Sequence, residues 1–329
     1  MASPTLHLPV EGRIPPLTGA TAWLNSPPLR VEDLRGRVVL VQFWTYTCIN
    51  WLRTLPHVRA WEQRYRDQGL VVVGVHTPEF PFERDPDNVR RAVAERRITH
   101  PVALDDRYAV WNAFANRYWP ALYLVDARGR IRHHHFGEGD EERSERVVQE
   151  LLREAGAHVP RQEPLAVAAE GPEVPADWDD LGSPETYTGY ERTDAFASPG
   201  GAVPDTPHGY ALPDRLRLNS WALAGEWTVL PGAVRLEGAG GRIAYRFHAR
   251  DLHLVMGPAA PGTSVRYRVL VDGDAPGASS GSDVDPLGSG TVTEQRLHQL
   301  VRQPGPIGDR LFEIEFLDPG VEAFVFTFG

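Results

Sequence analysis

The stretch VVLVQFWTYTCINWLRTLP, residues 38–56, decides the fold of this chain. Val38 to Trp44 is a near-continuous apolar run, the mark of a strand covered on both faces. From residue 50 to 67, Trp51, Leu52, Leu55, Val58, Trp61 and Tyr65 recur three or four positions apart, which predicts a helix with an apolar face. Cys48 stands at the junction, where first-turn amides and the helix dipole favour a thiolate. Pro56, eight residues on, lies inside the helix and removes one of its hydrogen bonds. Cys48 is the only cysteine in 329 residues, and Trp51 holds the place where a Cys-x-x-Cys pair would have its second sulfur.

Composition narrows the chemistry. The length allows two domains, each with a core, and 42% hydrophobic with 24% charged residues is ordinary globular material. All 34 basic residues are arginine, which removes lysine Schiff-base chemistry and a P-loop lysine. They are outnumbered by 44 acidic residues, and a net charge of −10 without a basic block argues against nucleic-acid binding. One cysteine excludes an intrachain disulfide framework and a cysteine-cluster metal site. No apolar run approaches the roughly 20 residues that span a bilayer, and the N-terminus lacks the pattern of a signal peptide. The expectation is a chain with no membrane partner, cytoplasmic as written and extracytoplasmic if a leader has been removed, with no cofactor and no metal.

Strand and helix signals alternate through the first half. GLVVVGVH (69–76) is a second buried strand, and DPDNVRRAVAERR (85–97) a helix with Asp and Pro at its start. A short segment PVALDD precedes a helix near 107–116, ALYLVDARGRIRHHHFG (121–137) reads as a hairpin, and a last helix spans 141–154. This order predicts an α/β domain over 1–155, a mixed sheet with helices on both faces. Residues 156–185, rich in Pro, Ala and acid, read as a linker. Over 186–329, short alternating strands between Gly and Pro turns predict an all-β antiparallel sandwich.

Strand, cysteine, proline eight residues on, and Trp119-Pro120 before a later strand together resemble the TlpA-like branch of the thioredoxin fold. FWTYTCINWLRTLP, GLVVVGVHTPEF, NRYWPALYLVD and HHHFGEGD resemble more closely the redoxin domain of DipZ-type proteins. SPETYTGYER and the terminal EAFVFTFG resemble the carbohydrate-binding-module-like (jelly-roll) sandwich that follows it in that family. The resemblance implies a thiol–disulfide oxidoreductase ancestry, an extracytoplasmic setting, and a cysteine at position 51, where this chain has Trp51. It also implies a cis bond at Trp119-Pro120 that offers a backbone edge to a partner. Without a resolving thiol, a mixed disulfide at Cys48 cannot be released from within the chain.

The expected site is therefore Cys48 as nucleophile, with Trp119, Pro120, Trp51, Asn50 and Thr47 meeting the partner, a protein or low-molecular-weight thiol or disulfide. Trp51 has two readings, as packing beneath the thiol or as an apolar wall beside it. Thr45, three residues before Cys48, suggests the Thr-x-x-Cys of a one-cysteine peroxidase, an antioxidant alternative. The prolines of that pattern are absent, with Val41 and Ile49 in their places. His76 and Glu79, just past the second strand, are candidate assisting groups. His133, His134 and His135 alternate faces on a strand and lack a third ligand, so a metal is not expected. In the sandwich, Tyr187, Tyr190, Trp221 and Trp227 are candidate sugar-stacking aromatics, although aromatics in a β-sandwich are mainly core. A redox-silent module binding peptide or glycan is the alternative from outside enzymology.

Overall fold

Val38–Trp44 (β3) is the central strand of a seven-stranded sheet in the computed structural model, which describes residues 8–160 and 162–329. In chain order the elements around it are β1 (Gly12–Arg13), β2 (Ala22–Leu24), β3, α1 (Ile49–Tyr65), β4 (Leu70–His76), α2 (Pro86–Glu95), β5 (Val102–Leu104), α3 (Ala109–Ala113), β6 (Ala121–Val125), β7 (Arg130–Phe136) and α4 (Glu141–Glu154). The sheet order is β1-β7-β6-β3-β4-β5-β2, with β3 parallel to β4 and antiparallel to β6. This is a thioredoxin-like fold, as the sequence predicts. The short edge strands β1 and β2 are additions that no periodicity marks.

The two-sided burial of β3 follows from its alternation. Val39, Val41 and Phe43 pack with Val73, Val75, Tyr123 and the aromatic rings of Trp111 and Phe114. Val38 and Leu40 pack on the other face against Val58, Trp61 and Tyr65 of α1 and Val147, Val148 and Leu151 of α4. On β4, Gly74 leaves room for an indole, since a Cβ there would lie 2.8 Å from Trp44 Nε1. Asp85 caps α2 by accepting from the Asp87 N–H at 2.9 Å, with Pro86 at the first helical position.

The chain divides into two compact units, one ending at Glu173 and the other beginning at Val174, so the division falls inside the segment expected to be linker. The part before it makes specific contacts within the first unit. Arg59 pairs with Glu173 at 2.5 Å, and the Leu165 N–H donates to Glu145 at 2.8 Å. Glu145 also accepts from Trp61 Nε1 at 3.0 Å and from the Tyr65 hydroxyl at 2.6 Å, which satisfies a carboxylate that is 1% exposed.

The second unit is all-antiparallel β, with eleven strands in one connected sheet. Strand Trp221–Val229 serves two neighbours in succession, pairing with Gly241–His248 up to Ala224 and with Val234–Leu236 from Trp227. Gly225, at φ 96°, lies between these halves, and a Cβ there would be 2.9 Å from Gly241 Cα, so the corner needs glycine. Its main core is built from Trp221, Trp227, Tyr245, Phe247, Tyr267 and Phe312, with a small second cluster at Leu216, Ala222 and Ala244. Among the described residues of the chain no helix is long and apolar enough to cross a membrane.

Candidate active site

Register brings the site together. Trp44 pairs with His76 where β3 and β4 end, and Phe43 pairs with Ala121 where β6 begins. The turn Thr45–Cys48, the end of β4 and the Trp119-Pro120 bond therefore meet at one edge of the sheet, the edge where open α/β folds place function.

Cys48 is the N-cap residue of α1, with extended backbone (φ −73°, ψ 113°) and its carbonyl accepting from the Leu52 N–H at 3.0 Å. Its thiol is half-buried, with Sγ 3.7 Å from the Trp119 carbonyl oxygen, to which the S–H donates. The Trp119-Pro120 peptide bond is cis. Trp119 is anchored by its indole N–H donating to the Thr77 carbonyl at 3.0 Å and by its ring lying 4.3 Å from that of Trp111. Asn50 is half-buried in the first turn of α1.

Three residues expected to meet a partner, Pro120, Trp51 and Thr47, are buried. Trp51 is 0% exposed, stacked on Trp44 at 4.3 Å and 18°, with its indole N–H directed at Gln42 Oε1 at 3.4 Å. The apolar face of α1 carries it inward, so the packing reading holds and the open-wall reading does not. Thr47 is 2% exposed, and its hydroxyl donates to Glu83 Oε1 at 2.6 Å. Thr45, on which the peroxidase reading rests, is 0% exposed, with its hydroxyl 3.5 Å from His76 Nε2.

His76 is fully buried between Tyr46, stacked at 5.8 Å, and the edge of Trp44 at 4.8 Å. Burial pushes its pKa down to about 3, so the ring is neutral, and its Nδ1 has no hydrogen-bond partner. Glu79 is half-buried and enters through its backbone, the N–H donating to Glu83 Oε2 at 2.6 Å.

Glu83 is the residue that sequence reasoning missed. It sits in a 3₁₀ turn, Pro81–Arg84, and is 0% exposed. One carboxylate oxygen takes the Thr47 hydroxyl, the other the N–H groups of Glu79 and Phe80, the second at 2.9 Å. Burial raises its pKa to about 7, against the pull of the Thr45 and Thr47 hydroxyls and the Phe80 N–H, with Glu79 adding to the rise. The available signal was the spacing in FPFE, a proline opening a turn and a glutamate placed to close it.

The histidine run disperses. His134 Nδ1 is 2.7 Å from a Glu11 oxygen, His135 Nε2 is 3.2 Å from the Glu138 carbonyl, and His133 is buried. Among the described residues no three His, Cys, Asp or Glu side chains are grouped to hold a metal. In the second unit Trp221 and Trp227 are 0% exposed core, and the Tyr187 ring is covered by the Arg192 guanidinium at 3.3 Å.

Residues 9–152 match the family described as Redoxin, and residues 183–329 match the one described as Thioredoxin like C-terminal domain. Thiol-disulfide oxidoreductase YkuV of Bacillus subtilis (strain 168) is 35% identical over 141 residues, 43% of this chain and 95% of YkuV. The chain belongs to the redoxin family. Protein DipZ of Mycobacterium tuberculosis (strain CDC 1551 / Oshkosh) is 41% identical to this redoxin over 258 residues, 78% of the chain. That match spans only 36% of DipZ itself. A solution structure of a thioredoxin-like protein in the oxidised form aligns with 44% of the redoxin chain and 96% of its own, at 35% identity and a TM-score of 0.41.

Proposed function

We propose that the redoxin domain performs thiol–disulfide exchange with Cys48 as its lone nucleophile. The observation that carries this reading is the half-buried thiol at the N-terminus of α1, held against the Trp119 carbonyl. In the first step the Cys48 thiolate attacks one sulfur of a disulfide R–S–S–R′. A Cys48–S–S–R bond forms, the R–S–S–R′ bond breaks, and R′S⁻ leaves and takes a proton. In the second step an external thiolate attacks the mixed disulfide and leaves with R as a new disulfide, returning Cys48 as thiolate. Trp51 occupies the position of a resolving thiol, so the second thiol is external.

The partner is a protein or a low-molecular-weight thiol or disulfide. Beside Trp119, Tyr118 and Phe136 stay 52% and 40% exposed with ring centroids 5.0 Å apart, an apolar surface for the group attached to the attacked sulfur. For the second unit we propose carbohydrate-binding-module-like kinship without sugar stacking by Trp221 or Trp227, whose faces are core. The test is incubation with glutathione disulfide, with intact-mass detection of one glutathione on the protein and none on Cys48→Ser. Release by added thiol completes the cycle. A Cys48 that stays unmodified at millimolar glutathione disulfide refutes the proposal.

A further inference from the structure

We propose that Glu83 is a positioning residue for Cys48: through Thr47 it clamps the turn that presents the thiol, and its charge state sets how readily that thiol ionises. The inference deepens the exchange reading and rests on it for biological meaning, but its chemistry is testable with any alkylating agent. Three features of the molecule support it. The carboxyl is wholly enclosed, so its charge is weakly screened. Its partner, Thr47, is the residue immediately before the nucleophile, and the bond crosses 36 positions of sequence. Its other oxygen is tied to the Glu79 and Phe80 N–H groups, so the carboxyl cannot swing away when the turn moves.

The groups that face Glu83 come from several elements. Thr45, Tyr46 and Thr47 approach from the turn after β3, Glu79 from its own loop, and Tyr108 from the residue before α3. Arg91 of α2 and Arg84 act on the same cluster through Tyr46 and Tyr108, and His76 adjoins it through Thr45. Asp85 also acts on Tyr46 and Asp105 on Tyr108, and burial raises Asp105 as well; burial keeps His76 neutral and pushes both tyrosines upward, and Glu83 is the carboxyl bonded to the turn before Cys48, raised to about 7. As Glu83 ionises, a negative charge appears against the hydroxyl of the residue that precedes Cys48, and like charges oppose each other's formation.

A glutamine fits the same cradle. Its oxygen can take the two N–H groups while its amide N–H donates to the Thr47 hydroxyl, which then accepts. Glu83→Gln thus keeps the clamp and removes the titration, whereas Thr47→Val removes the clamp and Thr47→Ser restores the hydroxyl. The experiment follows alkylation of Cys48 by iodoacetamide, in which the thiolate displaces iodide, from pH 5 to 9 on the full chain. Hydrogen exchange across Val38–Trp44 confirms that each variant is folded.

The parent is expected to show a rate profile whose rise flattens near pH 7. Glu83→Gln is expected to rise as a single group, reaching about tenfold the parent rate above pH 7. Thr47→Val should disturb the profile and Thr47→Ser should restore it. A flattening that survives in Glu83→Gln, or a Thr47→Ser profile no different from Thr47→Val, overturns the proposal. Absence of any alkylation at all pH values overturns it together with the exchange reading. If iodoacetamide gives the expected profiles but glutathione disulfide never reacts, exchange alone fails.

Discussion

Restoring a cysteine at position 51 separates the packing role of Trp51 from the missing redox partner. Trp51→Cys removes a side chain that is 0% exposed and stacked on Trp44 at 4.3 Å. Emptying a core site of an indole costs roughly 3–5 kcal/mol, and the lost stack accounts for about 1 kcal/mol of that. Against this stands a possible bridge. Cys48 and position 51 are the N-cap and third residue of α1, and helical geometry puts their Cα atoms about 5 Å apart, within the range a disulfide spans. Closing so short a loop restores about 2 kcal/mol by the chain-entropy argument. The reduced variant should therefore lose protection in hydrogen exchange across Val38–Trp44 by several hundredfold, and the oxidised variant should recover roughly thirtyfold of it. Those amides report the redoxin domain without interference from the β unit. The assay is exchange mass spectrometry in reducing and oxidising glutathione buffers. A reduced variant within about 1 kcal/mol of the parent would refute the assignment of Trp51 to the core. An introduced thiol that stays reduced under oxidising buffer would show that the frame no longer supports a pair.

The buried His76 and Glu83 make opposite contributions to stability against pH. Between pH 4.5 and 6.5 the folded state carries one proton on Glu83 and none on His76, and the unfolded chain the reverse, so the two slopes cancel. Glu83→Gln removes the Glu83 term and leaves that of His76, so its stability relative to the parent should fall by about 1.4 kcal/mol for each pH unit on going down from about 7 to 4.5; denaturant titrations at three pH values measure it, and a flat difference refutes it. Arg53 and Glu138 form an ion pair at 2.8 Å with side chains 2% and 6% exposed. Arg53→Met should cost about 3–5 kcal/mol by leaving a buried carboxylate uncompensated, with most of the loss recovered in Arg53→Met combined with Glu138→Gln; equal losses in the single and double variants would count against that account. Trp227→Ala should destabilise the β unit by roughly 3–5 kcal/mol while leaving glutathione adduct formation at Cys48 unchanged; altered reactivity would show that the two units are coupled.

What could be read along the chain was whatever local periodicity determines. The run Val38–Trp44, the helix face of Leu55, Val58 and Trp61, and the Cys48–Pro56 spacing all depend on residues within one element, and from them the redoxin frame follows. The direction of Trp51 was only half legible. Its spacing to Leu55 and Val58 put it on the apolar face, but whether that face is closed beneath the thiol depends on Trp44 and Gln42, brought there by the sheet. The turn that Glu83 closes was marked by the FPFE spacing, but its burial was illegible for a stronger reason. A glutamate in a loop without helix or strand periodicity, HTPEFPFER, carries no pattern that separates a solvated side chain from a buried one. Its burial is created by Thr47, 36 residues earlier, and by the turn that brings the Glu79 and Phe80 N–H groups inward. Such a carboxyl is tolerated only because each oxygen is supplied with a donor. The same supply makes it sensitive to its surroundings, since any motion of the Thr45–Cys48 turn removes a donor from an enclosed charge. A partner that shifts this turn while engaging Cys48 would alter the proton affinity of Glu83, and proton uptake would accompany engagement near pH 7.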